Sequence, residues 1–375
     1  MSIECRQPPP LLFRLLLPLL QLLFACACMP ASAQPAYALV FGPENSSASA
    51  IDRDGRIVGQ TGGRAFLWDG ATVSELGTLG GAGSAAFGIS DTGFITGAAD
   101  RLDGSSHAFL YDGVTGSISD IGQLGVASSG AGVNRAGQVA GTWVDDAGEN
   151  HAFLYSQGVA RDIGNLGANS ARATGINEAG AVVGSSFLEG FTSYQAFLYS
   201  ASGNISSITA LGTLGGPSSW AAAINDNWQV AGASYIDDDT QHAFLYSGGV
   251  MQDIGSFGGA FTEARGLNNN GWVVGFSTYA GDIPGIDFSS AILYRDGSMF
   301  DLNEIVERPG LWSILDAYGI NDAGQIAATA CTEFGDCRAV LLNPVPEPQP
   351  AALLLAGLAL GGAWSGLRRC TRRKR

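Results

Sequence analysis

The tetrapeptide Ala-Phe-Leu-Tyr, or a close variant, recurs seven times in this chain, starting at Ala65, Ala108, Ala152, Ala196, Ala243, Ala291 and Ala339. The spacings are 43, 44, 44, 47, 48 and 48 residues. A second marker, apolar-Asn-x-x-Gly or a variant of it, begins at Ile51, Ile89, Val133, Ile176, Ile224, Leu267 and Ile320. A third, of the form Asp-Ile-Gly-x-Leu-Gly, begins at Asp120, Asp162 and, with Phe257 in place of Leu, Asp253, with variants at Glu75, Ala210 and Asp301. Self-similarity at a period of about 40 to 50 residues restricts the fold to a propeller or a solenoid.

Each unit reads as four short strands. The first ends at the apolar-Asn pair, as in Ala171–Asn177. Asn-x-x-Gly is turn chemistry, because asparagine bonds its own backbone and glycine accepts positive φ. A valine-rich second strand follows, as at Val182-Val183-Gly184. A variable, often acidic loop leads to Ala-Phe-Leu-Tyr, and a Ser- or Gly-bearing turn leads to a fourth strand around Asp162-Ile163-Gly164. Gly-Gly pairs at Gly80-Gly81, Gly215-Gly216 and Gly258-Gly259 suit tight crossings between units. Four antiparallel strands in about 44 residues is one propeller blade.

The split repeat chooses between ring and solenoid. The seventh unit has no fourth strand before Pro344, whereas Tyr37–Gly42 precedes the first complete unit. Val40-Phe41-Gly42 aligns by spacing with Asp162-Ile163-Gly164. A ring in which the N-terminal strand completes the last blade explains both and removes an exposed edge. The expected fold is all-β: a seven-bladed propeller of four-stranded blades over residues 34–344, flanked by an N-terminal signal helix and a C-terminal transmembrane helix.

The ends differ from this body. Residues 1–33 read as a secretory signal, with Arg6, a leucine-rich run and Ala31-Ser32-Ala33, so cleavage is expected between Ala33 and Gln34. Cys26 offers a competing lipoprotein reading, which Phe24 disfavours. At the other end the uncharged run from Ala351 to Leu367 spans roughly 25 Å as a helix, close to the bilayer core, and a basic cluster from Arg368 to Arg375 follows it. Setting aside residues 1–33 and 349–375 leaves 11 arginines, no lysine and 33 acids, a net charge of −22 where the whole chain has −15. Such a surface repels phosphate backbones, which excludes nucleic acid as a partner.

The tail, Val345-Pro346-Glu347-Pro348 followed by the apolar run and the arginine-rich end, resembles the PEP-CTERM sorting signal of exported Gram-negative proteins. That resemblance implies processing by an exosortase, after signal peptidase, and a route to the cell surface or beyond it with transient anchoring in the inner membrane. Residues 345–375 then form a sorting segment. The body resembles the HAF repeat, through His107-Ala108-Phe109, His151-Ala152-Phe153 and His242-Ala243-Phe244. Four units depart at the histidine, with Arg64, Gln195, Ser290 and Arg338. The HAF resemblance implies an extracellular setting and no established activity.

Candidate chemistry is sparse. Cys331 and Cys337 flank a short loop and are expected to form a disulfide in an oxidising compartment; two sulfurs alone make a poor metal site. The three histidines are repeat-equivalent and read as donors capping a local carbonyl. Asp145-Asp146, Asp237-Asp238-Asp239 and Asp52-x-Asp54-Gly55 read mainly as turn chemistry on one side of the ring, with calcium as the alternative because oxygen ligands from closely spaced aspartates suit it. Trp228 and Trp272, beside turns, are candidates for sugar stacking, although packing is the simpler role. No nucleophile motif, phosphate loop or zinc spacing appears, so no catalytic, cofactor or metal residue is assigned. The expectation is a non-enzymatic surface propeller binding matrix glycan or another envelope partner. The alternative is a secreted glycan hydrolase or lyase with its site in the central channel, marked by three or more acids or histidines converging there from different blades.

Overall fold

The computed structural model describes residues 37–190, 193–202, 205–279, 288–307 and 310–345. The expected signal segment and Ala33–Gln34 cleavage site, Pro346, Glu347 and Pro348 of the sorting motif, and the tail helix at 351–367 lie outside those residues. No described helix is long and apolar enough to cross a membrane.

The first strand, β1 (Tyr37–Glu44), belongs to the last blade. Blade one is β2 (Ser46–Ile51), β3 (Ile57–Thr61), β4 (Arg64–Trp68) and β5 (Val73–Glu75); blade two is β6 (Gly80–Ile89), β7 (Phe94–Arg101), β8 (Ser106–Asp112) and β9 (Ser117–Asp120). Blade three is β10 (Ala127–Val133), β11 (Val139–Val144), β12 (Asn150–Ser156) and β13 (Val159–Asp162). β14 (Ala171–Ile176), β15 (Val182–Phe187), β16 (Tyr194–Ser202) and β17 (Ile205–Gly212) make blade four. β18 (Ser219–Ile224), β19 (Val230–Tyr235), β20 (Gln241–Ser247) and β21 (Val250–Asp253) make blade five. Blade six is β22 (Thr262–Leu267), β23 (Val273–Tyr279), β24 (Phe288–Arg295) and β25 (Ser298–Asp301). A four-residue helix, α1 (Leu302–Ile305), and the short β26 (Val306–Glu307) lead to β27 (Ser313–Ile320), β28 (Ile326–Cys331) and β29 (Cys337–Pro344) of blade seven.

The closing blade has the strand order β26-β1-β29-β28-β27. β1 runs antiparallel to β29, with Tyr37 opposite Pro344, and supplies the missing fourth strand. Two details differ from the sequence expectation. β26 pairs in parallel with β1 as a fifth strand, a connection for which no repeat provides a precedent. The alignment of β1 is one residue off: Phe41 faces Val340, and in blade three the residue facing the equivalent Phe153 is Asp162, not Ile163. Spacing alone could not see the register shift between Phe41 and Glu44 that absorbs the difference.

The core lies between blades. One cluster joins Val58, Ala65 and Leu76 of blade one to Ala86, Ile95 and Phe109 of blade two. The closing seam is built alike, from Ala48, Ile57, Phe66 and Trp68 against Ala327, Ala339 and Leu341. The Phe of Ala-Phe-Leu-Tyr is at most 1% exposed in blades one to five, which explains the imperfect alternation: strands sandwiched between sheets are apolar on both faces. Such close stacking needs glycine at the centre of the second strand. A Cβ on Gly59, Gly97, Gly141, Gly184, Gly232 or Gly275 would lie 1.9–2.2 Å from an inner-strand carbonyl oxygen. Blade seven has Ala328 in that place, and its inner strand carries an extra register shift between Ile314 and Asp316.

Candidate functional site

The first strand of every blade lines the central channel. Each has a bulge just before its apolar-Asn marker, for example between Gly130 and Gly132 and between Ala173 and Gly175. Seven aliphatic residues, Ile51, Ile89, Val133, Ile176, Ile224, Leu267 and Ile320, thereby line both the cavity at the turn face of the ring and the cavity towards the loop face. Antiparallel connectivity puts the Asn-x-x-Gly turns on the turn face, and puts the loops between second and third strands on the loop face.

At the turn face the asparagines form a ladder around the ring. Asn134 Nδ2 donates to Asn177 O (3.1 Å), Asn177 to Asn225 O (3.2 Å), Asn225 to Asn268 O (2.9 Å), Asn268 to Asn321 O (2.9 Å) and Asn321 to Asp52 O (2.9 Å). The next residue of five of these turns adds a second tier. The amides of Arg53, Arg135, Glu178, Asp226 and Asn269 donate to the side chains of Asp91, Glu178, Asp226, Asn269 and Asp322 in the following blade. Four carboxylates from four blades therefore converge on this cavity of about 170 Å3, together with Arg53 and Arg135. The number meets the criterion set for a channel enzyme, but these oxygens are acceptors in the inter-blade ladder. Burial raises the Asp91 carboxyl, and the hydrogen bonds from Arg135 and from the Arg53 amide outweigh that and hold it low. Burial raises Glu178, with Asp226 and Asp91 adding to the effect against the pull of Arg135.

The loop face is where the repeat breaks down. Four residues before the aliphatic ring the inner strands carry Ser47, Ala85 and Ser129 in blades one to three, but Arg172, Trp220, Glu263 and Asp316 in blades four to seven. Two residues before the ring, blades six and seven carry Arg265 and Tyr318. Arg265 bridges the acids, with Nη1 2.9 Å from Glu263 Oε1 and Nε 3.3 Å from Asp316 Oδ2, and Trp220 Nε1 donates to Glu263 Oε1 at 3.0 Å. Burial pushes the Asp316 carboxyl up to about 6, Glu263 adds repulsion and Arg265 opposes both; its Oδ1 is buried without a hydrogen-bond partner. Trp220 also belongs to an aromatic arc. Phe187 and Tyr194 meet edge-on at 5.6 Å, Tyr194 and Trp220 lie 5.9 Å apart, and Trp220 meets Tyr235 at 6.2 Å.

The residues singled out in the sequence fall elsewhere. The histidines bond carboxylates, where the sequence reading had carbonyls. His107 Nδ1 lies 3.1 Å from Asp120, His242 Nδ1 2.9 Å from Asp253, and His151 within 3.3 Å of both Asp145 and Asp162. The first and third markers of the repeat are thus two halves of one cross-strand pair, and Ser290 keeps it with Asp301 at 2.6 Å. In blade seven the pair becomes Arg338 over Phe41 and Trp312. The acidic loops do not share one side. Asp145 and Asp237 cap loop-face turns, where amides of their own loops hold both carboxyls below the usual range. Asp52 lies in a turn-face hairpin, since it follows a first strand; it is buried, and Arg56 Nε approaches its Oδ2 to 2.6 Å. Among the described residues no three His, Cys, Asp or Glu side chains gather to hold a metal ion. Trp228 stands exposed at φ 61° in the glycine place of its turn, and Trp272 packs under Arg295 at 5.6 Å, so the two form no common platform. The sulfurs of Cys331 and Cys337 are bonded at 2.10 Å across paired positions of β28 and β29. Trp220, Glu263, Arg265, Asp316 and Tyr318 were missed. Aligning the units on the apolar-Asn marker and asking where small residues give way to large polar ones would have found them.

No family model matches the sequence, and no curated protein matches it. Among solved structures, the β-propeller domain of the Trilobed protease from Pyrococcus furiosus, described as having an open velcro topology, is similar at TM-score 0.51 and 10% identity, over 81% of this chain and 99% of that one. A puromycin-hydrolyzing peptidase of Mycobacterium tuberculosis is similar at TM-score 0.51 and 9% identity, over 81% of this chain and 53% of that one. TolB from Acinetobacter baumannii reaches TM-score 0.44 at 14% identity, over 78% of this chain and 64% of its own. The chain therefore spans less than two thirds of TolB and about half of the peptidase. Identities this low establish the propeller fold and nothing finer.

Proposed function

We propose that the chain is an exported, non-enzymatic propeller, sorted to the cell surface or the medium through its tail, that holds a polysaccharide of the extracellular matrix on its loop face. The observation that carries this reading is the arc Phe187–Tyr194–Trp220–Tyr235 beside the Glu263–Arg265–Asp316 group. Aromatic faces stack on the apolar C–H faces of sugar rings, and carboxylates and guanidinium bond ring hydroxyls, so one extended rim offers both halves of glycan recognition. The aromatics sit in strands and hold one another in place, which limits the ordering cost of binding. The test is retention of the full-length chain on exopolysaccharide from a producing culture. Trp220→Ala is expected to lower retention at least tenfold, and equal retention of the variant sinks the reading.

One observation favours a second reading, a hydrolase or lyase. Burial beside Glu263 raises the Asp316 carboxyl to about 6, and a carboxyl that keeps its proton close to neutral pH is one requirement of a general acid. Release of new reducing ends from the retained polymer, abolished by Asp316→Asn, would establish it. Binding without any cleavage leaves the non-enzymatic reading.

A further inference from the structure

A cleft of about 290 Å3 lies on the loop face at the seam of blades three and four, lined by Asn150, Ser170, Arg172, Ser185, Phe187 and Tyr194. Arg172 is exposed, and its side chain makes no hydrogen bond or ion pair among the described residues, although its backbone pairs with Ser185. Its counterparts at the channel behave otherwise: Arg135 lies on Asp91, and Arg265 on Glu263 and Asp316. Among residues 34–348, with 33 acids and 11 arginines, a guanidinium left without a carboxylate in a cleft is charge available to a ligand. The wall beside it is aromatic. Phe187 props Tyr194 edge-on, and Tyr194 leads on to Trp220, so the cleft is the far end of the same arc.

From this juxtaposition we infer that the cleft is an acidic-sugar subsite, which takes the carboxylate of a uronic acid unit on Arg172 while the sugar ring lies against Tyr194 and Phe187. Arginine suits the task because its planar fork bonds both carboxylate oxygens at once. The Asn150 amide and the Ser170 and Ser185 hydroxyls are within the same cleft for ring hydroxyls. The surroundings also limit the polymer. Beyond Tyr194 the arc reaches Trp220 and Glu263, and the body carries −22, so neighbouring units are neutral and a polyanion is repelled. The ligand is a heteropolysaccharide with isolated uronate units. This inference rests on the glycan reading and adds its charge and its register on the face.

The test uses the full-length chain in detergent and four small probes: glucuronate, its methyl ester, glucose and N-acetylglutamate amide, titrated by saturation-transfer NMR. Glucuronate is expected to bind at least about tenfold more tightly than the ester or glucose, since a charge-assisted pair contributes that much. Arg172→Gln is expected to bring glucuronate down to the level of glucose and to leave glucose unchanged. Its urea midpoint should match the parent, because the Arg172 side chain holds nothing in the fold. Tyr194→Ala should weaken all three sugars alike. Equal binding of glucuronate and its ester, or an Arg172→Gln variant that binds like the parent, overturns the inference and leaves the glycan reading standing. Failure of every sugar, together with no retention on exopolysaccharide, overturns the glycan reading itself. Tighter binding of N-acetylglutamate amide than of glucuronate assigns the cleft to an acidic peptide and overturns the inference.

Discussion

The asparagine ladder makes a stability prediction that the repeat itself can test. The Asn225 side chain is buried and makes four hydrogen bonds: Nδ2 donates to Asn268 O of the next blade at 2.9 Å and to Gln229 Oε1 at 2.8 Å, and Oδ1 accepts from the amides of Asn227 at 3.1 Å and Gln229 at 2.9 Å. Asn225→Ala removes all four. The two turn amides regain water at a loss of about 1 kcal/mol each, and the Asn268 carbonyl, which keeps the Gly271 amide at 3.1 Å, loses one of its two bonds at about 1 kcal/mol, so the variant should lose about 3 kcal/mol. Blade one shows how a carboxylate is tolerated at this position. Asp52 accepts from the amides of Asp54 and Arg56 at 3.0 and 2.9 Å, and the Arg56 guanidinium neutralises it. Asn225→Asp alone keeps the turn bonds but buries an unpaired charge beside a carbonyl, and should be at least as damaging as alanine at neutral pH. Adding Gln229→Arg should recover about half of the loss and leave the deficit of the missing inter-blade bond. Urea unfolding at unchanged m-value measures all four proteins. A loss below about 0.5 kcal/mol for Asn225→Ala, within the range of an ordinary surface change, or a Gln229→Arg that fails to improve Asn225→Asp, would refute the ladder as a source of stability.

Three further outcomes follow from the same geometry. Reducing the Cys331–Cys337 bond, whose sequence separation is 6, should lower stability by about 2 kcal/mol, read as a fall in urea midpoint on adding reductant. Asp316 is protonated more readily in the folded ring than in the unfolded chain, so its contribution is fully present below the ordinary aspartate range and is lost as pH rises through about 6. The stability difference between the parent and Asp316→Asn should accordingly shift by at most about 3 kcal/mol between pH of about 4 and 7, and a flat difference would refute the raised carboxyl. Gly275→Ala places a Cβ 1.9 Å from Glu263 O and should destabilise by about 2–4 kcal/mol, measured by thermal unfolding.

The ring was legible because its determinants are periodic. Ala-Phe-Leu-Tyr fills the seams, Asn-x-x-Gly makes both a turn and a ladder, and a missing last strand matched by a spare first one implies closure. What escaped lies where period and contact part company. Each histidine has an aspartate partner eleven or more residues away in sequence, which only the register of the third and fourth strands reveals, and His151 adds Asp145 of its own loop. Asp52 resembles the loop-face aspartates in composition, yet the direction of its strand puts it on the opposite face. The candidate site is made of residues in which each unit differs from the others, and a reading that hunts for likeness passes over them. Arg172, Trp220, Glu263 and Asp316 become one group only when the ring brings four first strands side by side.

The closure has a mechanical side. Because Tyr37 lies opposite Pro344, the chain joins and leaves the ring at one point on the turn face, away from the aromatic arc. A pull on the chain at Pro344 runs along β29. That loads the ladders to β1 and β28 in shear, where the hydrogen bonds lie across the force and must yield together rather than unzip singly. At the far end of β29 the disulfide passes the same load to β28. β29, paired on both sides and tied to β28 by the disulfide, is therefore the strand placed to bear a load applied at Pro344.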